Sequence, residues 1–231
     1  MIWGDDLALP SGLGVVAHHT GGQVIGAFYD GEMIGFTLAF AGYRNGLPFL
    51  HSHMTGVLPE YRDSGTGRRL KLFQRQDALK RGIQLVEWTF DPLELKNAHF
   101  NLMRLGAIVR RLIPNCYGIT GSPLHAGLPT DRFVPEWWLD SDRVKAILED
   151  RTPTISANAE YVSIPTNIRE IRFSSPAEAV NIQSVAREQF LKLFAAGYVA
   201  TAIRPSGAFT DYVLEPATAV PGLKLPGFSE D

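Results

Sequence analysis

Three groups of residues in this chain have types and spacings suited to chemistry. The first is the run Val57-Leu58-Pro59-Glu60-Tyr61-Arg62-Asp63-Ser64-Gly65-Thr66-Gly67-Arg68-Arg69-Leu70, which joins an apolar stretch to a helix-forming one. Its two glycines let the backbone turn tightly and approach a ligand closely. The N–H groups of a first helical turn have no intrahelical partner, and the helix dipole adds positive potential there. That combination binds phosphate, and arginines such as Arg62, Arg68 and Arg69 suit it. A glycine pair alone is equally an ordinary strand-to-helix turn. The Walker pattern is absent, and Leu70 stands where a dinucleotide fingerprint needs a third glycine. The second group is His51 and His53, two apart on an expected strand and therefore on one face. Imidazole titrates near neutrality, so either is suited to take a proton from an amine before it attacks. Packed or chance histidines are the ordinary alternative. The third group is Glu87 with Asp91, each a candidate base or orienting carboxylate, though such groups are more often solvated or ion-paired.

The longer string V-x-P-x-x-R-x-x-G-x-G, with an apolar residue three places on, resembles the acetyl-CoA signature of the GNAT superfamily. The order of strands and helices from Gln23 to Leu139 resembles that fold as well. The resemblance implies acetyl-CoA as co-substrate, with no metal. It implies that Arg62, Asp63, Ser64, Gly65, Thr66, Gly67 and Arg68 take the pyrophosphate, and that the preceding strand splays from its neighbour for the pantetheine arm. A backbone N–H near Thr55, Gly56 and Val57 would polarise the thioester carbonyl. The segment from Asn97 to Ala107 resembles the family's second helix, with Asn97 a further coenzyme contact. Counting back from Gly106, the family's frequent acidic tyrosine falls on Leu102, which has no proton to give. Water, Tyr117 or Asn97 would have to serve. His51 and His53 resemble the paired histidines of the arylalkylamine N-acetyltransferases. The implied reaction is direct attack by a small-molecule or peptide amine, with His51, His53 or Glu87 handling the proton. The alternative is a non-catalytic acyl-CoA sensor or scaffold.

Composition narrows the classes. The chain has 231 residues, 45% hydrophobic, with a formal charge of -2, enough for a buried core and giving no whole-chain electrostatic case for nucleic acid or an anionic membrane. The single cysteine, Cys116, excludes an internal disulfide. No stretch reaches the ~20 apolar residues of a membrane span, and the N-terminus lacks signal-peptide features, so a cytoplasmic address is expected. A two-histidine metal site lacks a third ligand of suitable spacing.

These residues need elements to hold them. Residues 4–22 read as loop or broken helix. Strands are expected over 23–29, 32–41 and 49–57, with turn signals at Asp30-Gly31 and Asn45-Gly46. A helix follows over 67–81, with Leu70, Phe73 and Ala78 on one face. Next come a strand over 83–90, a helix over 93–105 and strands over 107–113 and 132–139. The loop from 118 to 130 is long. Beyond Ser141 the pattern gives a short helix, a strand near 161–164, a helix over 176–196, two strands near 199–204 and 210–214, and a Pro/Gly-rich tail. The expectation is an α/β (α+β) mixed sheet with an abbreviated N-terminus. Residues 1–140 form the acyltransferase core and 141–231 an α/β appendage. The strand over 23–29 would be an open sheet edge, covered by the appendage or by a second copy in a homodimer. His18-His19 reads as surface, and one ring of Trp137-Trp138 is expected to face inward and one outward.

Overall fold

The computed structural model describes residues 10–44, 46–118 and 127–223. Asn45 of the second turn, most of the 118–130 loop and the tail from 224 lie outside them. The described chain falls into two compact units. One holds residues up to Trp88 together with Trp138–Asp140; the other holds Thr89–Trp137 and Ser141–Leu223. The last two strands of the expected 1–140 core, apart from Trp138 and Leu139, thus fall within the second unit.

In the first unit α1 (Ser11–His19) precedes a sheet of β1 (Gln23–Tyr29), β2 (Glu32–Arg44), β3 (Leu47–Val57) and β4 (Leu85–Glu87), with α2 (Thr66–Lys80) packed on it. Of the loop or broken helix expected over 4–22, the described part is the helix α1. Its two glycines lower propensity, but Pro10 leads into the first turn, where the N–H groups need no helical acceptor. His18 and His19, in its last turn, are exposed as expected. The turn after β1 places Asp30 at φ 50 and Gly31 at φ 83, the left-handed pair of a tight hairpin. β1, β2 and β3 form an antiparallel meander, and β4 joins β3 in parallel, so the sheet is mixed. Among the described residues β1 pairs only with β2.

Thr66, Leu70, Gln74 and Ala78, at four-residue spacing, supply the buried stripe of α2, with Lys71 beside them. Phe73, expected on that face, is 57% exposed. Buried polar side chains, not a third large apolar one, complete the contact.

In the second unit β5 (Ile108–Ile113), β6 (Arg132–Trp138), β7 (Glu160–Pro165), β8 (Tyr198–Ser206) and β9 (Phe209–Pro216) run antiparallel in the order β6-β5-β8-β9-β7. Phe133 of β6 sits at the centre of an aromatic cluster with Phe90, Phe190 and Tyr212. Tyr212 donates to the Pro92 carbonyl at 2.6 Å, so its buried hydroxyl is satisfied. The helices are α3 (Leu95–Ala98), α4 (Asp142–Leu148), α5 (Ile168–Ser174) and α6 (Pro176–Ala195). α5 has no counterpart in the sequence reading. The helix expected over 93–105 is a short α-turn that widens into a π-helix at His99–Arg104, closed by the Leu105 N–H on the Phe100 carbonyl at 3.1 Å. Both Trp137 and Trp138 are buried, correcting the one-in, one-out expectation. β6 is covered on both faces, and the Trp137 indole N–H finds the Leu105 carbonyl at 2.7 Å.

Candidate active site

Every first-unit candidate lies on β3, on β4, in the loop that carries β3 into α2 or in the first turn of α2. β3 and β4 pair only at Leu50 with Val86 and His51 with Glu87. β4 then ends, while β3 continues to Val57. The far half of β3, including Thr55, Gly56 and Val57, therefore presents a backbone edge unpaired by β4.

β3 is also irregular on its other side. Leu38 faces Met54, but the next residue, Ala39, faces Ser52, so His53 is an extra residue in the ladder, a β-bulge. Ser52 and Thr55 consequently both reach the Thr37 hydroxyl, at 3.4 and 2.8 Å. Thr55 thus has its side chain tied to β2 and offers a ligand its backbone. The rings of His51 and His53 are 6.3 Å apart and tilted by 38°. His51 is half-buried and His53 exposed, with Phe40 at 5.7 Å from His53.

Glu87 sits differently. It is buried, and its two oxygens accept from Arg44 at 3.0 Å each. A carboxylate gripped by a guanidinium fork is suited to orienting its neighbour on the ladder, His51, more than to taking a proton. Asp91, in the second unit, accepts from the Leu93 N–H and from Arg172.

The loop itself is held by its own polar side chains. Ser64 donates to the Tyr61 carbonyl at 2.6 Å, so Thr66 supplies the proton of the 2.8 Å contact between their hydroxyls. Arg69 donates to Thr66 at 3.1 Å, and Arg62 to the Val57 carbonyl at 3.2 Å. Asp63 (φ 59) and Gly65 (φ 82) are both left-handed, turning the chain into α2. No side chain caps the first turn of α2, so its N–H groups face outward with the positive end of the dipole. A Cβ on Gly67 would meet only Val57, at 3.9 Å, so the space it would fill is open. Arg68, half-buried, keeps its Nε buried with no partner among the described residues. An orphaned guanidinium N–H beside an uncapped helix start fits a pyrophosphate.

Residues 6–106 match the model of the acetyltransferase (GNAT) family. This segment is of the GNAT type. A search of the curated proteins found no match. Among solved structures, the chain is similar to Arabidopsis thaliana Naa50 in complex with a bisubstrate analogue, at 19% identity over 48% of this chain and 69% of that one, TM-score 0.41. It is similar to Chaetomium thermophilum Naa20 at 18% identity over 56% and 73%, TM-score 0.45. The Escherichia coli ribosomal-protein-S18-alanine N-acetyltransferase shows 14% identity over 57% and 78%, TM-score 0.46. The family match supports acyl transfer from coenzyme A to an amine and leaves the amine open.

Sequence reading missed Lys71. It lies on the buried face of α2 in the GNAT segment, donating to Ser52 at 2.8 Å and Gln74 at 3.0 Å, with Trp88 4.3 Å below its ammonium. Burial pushes its pKa down to about 7. Its charged type at a helix position signalled solvent, and only the strand beneath shows otherwise. The remaining candidates lie in the second unit. Asn97 is exposed on α3, and Leu102, at the family's tyrosine position, is wholly buried in the core. Tyr117 is exposed, its hydroxyl 2.9 Å from Thr89. Among the described residues no group of three His, Cys, Asp or Glu is placed to hold a metal, and no helix is long and apolar enough to cross a membrane.

Proposed function

We propose that the chain transfers an acetyl or other acyl group from coenzyme A to a small-molecule or peptide amine by direct attack. The observation that carries this is the uncapped start of α2 behind left-handed Gly65, with the Arg68 Nε orphaned beside it. In this reading the backbone from Arg62 to Arg68 holds the pyrophosphate, and the free edge of β3 from Thr55 to Val57 takes the pantetheine arm. The bound thioester supplies an electrophilic carbonyl carbon. A β3 N–H stabilises the charge that develops on its oxygen. His51 or His53 removes the amine proton, and Glu87, held by Arg44, orients His51. Asn97 as a coenzyme contact, a cytoplasmic address, a homodimer and a 1–140 core with a 141–231 appendage belong to the same proposal and rest on the sequence reading.

Leu102 favours a second reading, a non-catalytic acyl-CoA sensor, because a buried leucine gives the departing thiolate no proton. Calorimetry with acetyl-CoA, followed by thiol release over a panel of amines, separates the two. Binding with turnover supports the transferase. Binding without turnover moves the reading to the sensor. No binding removes both.

A further inference from the structure

The second unit holds a partly open cavity of about 320 Å³. That is the size of a small-molecule site and far beyond what a single water needs. β8 and β9 form its floor, α4 and the π-helix its wall, and residues 150–155 its rim. Four arginines line it, Arg104, Arg143, Arg151 and Arg204, against two carboxylates, Asp150 and Glu215. Met103, Ile147, Ile155 and Ile203 supply apolar wall between them.

Its polar groups are unequally used. Arg143 is 8% exposed. Its Nη2 donates to the carbonyls of Thr201 and Leu102, yet its Nε is buried without a partner among the described residues. Burial lowers its pKa to about 10, so it stays charged at neutral pH. Glu215 is the reverse case: one oxygen accepts from the Ser156 N–H at 2.6 Å and the other from the Thr201 hydroxyl. The unspent capacity is therefore a donor on a cation, while the buried acceptor is occupied. Of the outer arginines, Arg151 donates to the exposed Glu149 carboxylate at 2.5 and 3.0 Å, and the other two are loosely matched. Arg104 stands 3.9 Å from Asp150, with the two side chains 48% and 80% exposed. Arg204 stands 3.5 Å from Asp211. The wall from His99 to Arg104 is a π-helix, a rare geometry frequent at functional sites.

We propose that this cavity binds a small organic anion, a carboxylate or phosphate on a short apolar body. Guanidinium donors from Arg143 meet the anionic head, the outer arginines complete it, and the aliphatic wall takes the body. An amine ligand is disfavoured by four arginines and an already satisfied Glu215. The proposal is independent of the coenzyme reading and uses residues of the second unit only.

The test is calorimetry on the full chain with three probes: benzoate, inorganic phosphate and benzylammonium. At least one anion binds at one site per chain, and benzylammonium does not. Whichever anion wins identifies the head group. Arg143→Gln weakens it at least tenfold. Because Arg143 is buried and bonded to two carbonyls, the exposed double change Arg104→Gln, Arg151→Gln is the second arm, expected to weaken binding about fivefold with unchanged melting. Gly67→Val distinguishes this site from the loop before α2 and should leave the affinity as it was. Absence of saturable anion binding, equal binding of benzylammonium, or binding lost in Gly67→Val but kept in the arginine variants would each overturn the proposal.

Discussion

The loop before α2 and the cavity of the second unit both suit anions, and they do so by opposite means. In the loop the side chains of Ser64, Thr66 and Arg69 are occupied with one another, and the backbone is left for the ligand. In the cavity the backbone carbonyls of Thr201 and Leu102 are occupied with Arg143, and a side-chain donor is left over. A site made of backbone needs glycine at fixed offsets, so it marks the sequence. A site made of arginines gathered from the π-helix, α4, the 150–155 rim and β8 leaves no spacing to read.

The largest expected effect tests whether chemistry lies next to the backbone site. His51→Ala with His53→Ala should lower turnover ~10²–10⁴-fold, the usual cost of losing a general base, while acetyl-CoA affinity measured by calorimetry stays within about twofold. Glu87→Gln is the companion. A held carboxylate should show its loss first in melting temperature, because Arg44 is left without its fork partner. A Glu87→Gln protein that melts normally yet is inert, beside an active double histidine variant, would transfer the base to Glu87. Next in size, Gly67→Val should cut acetyl-CoA affinity by roughly tenfold or more with native circular dichroism. The new side chain meets little of the protein and fills the space that backbone donors serve. Gly65→Val is the poorer probe, since φ 82 there strains any side chain. Unchanged affinity in Gly67→Val would end the contrast between the two sites.

The smallest effect concerns the support beneath the loop. The folded pKa of Lys71 lies near 7, below the 10.5 expected when unfolded. Between those values the unfolded chain holds a proton that the folded chain lacks, so this group makes stability rise with pH across that window and flat below it. One group contributes about 1.4 kcal/mol per pH unit at most. Chemical denaturation from pH 7 to 9 should show that rise, and Lys71→Met should remove it. An identical slope in the variant would show that Lys71 stays charged in place.

Much of the first unit was legible. Turn glycines, alternating apolar runs and an unbroken set of helix formers are local signals, and β1, β2, β3 and α2 follow them within a few residues. What was not legible depended on partners distant in sequence. Lys71 gives no sign of burial in sequence, because Ser52 of β3, which it meets, is nineteen residues away. Phe73 read as core until the buried stripe passes it by. One of Trp137 and Trp138 read as outward until both faces of β6 are covered. The π-helix has no spacing signal, because its extra residue is decided by packing rather than propensity. In the candidate site, the two histidines and the glycine loop were visible by type. The grip of Arg44 on Glu87, two residues forty-three apart, was not.

The extra residue at His53 acts on β3 as a frameshift acts on a message. Up to Ser52 one set of positions looks toward α2; from Met54 onward the set is swapped, and Thr55 joins Ser52 on the Thr37 hydroxyl. Deleting residue 53 would therefore remove the surplus residue along with its imidazole: Met54 would still face Leu38 and Thr55 would still face Thr37, now in an unbroken ladder. Removing or adding one residue between Met54 and Val57 would instead exchange the two sides of the positions beyond the change. A single-residue length change there should consequently damage the approach to the loop more than loss of residue 53 itself does.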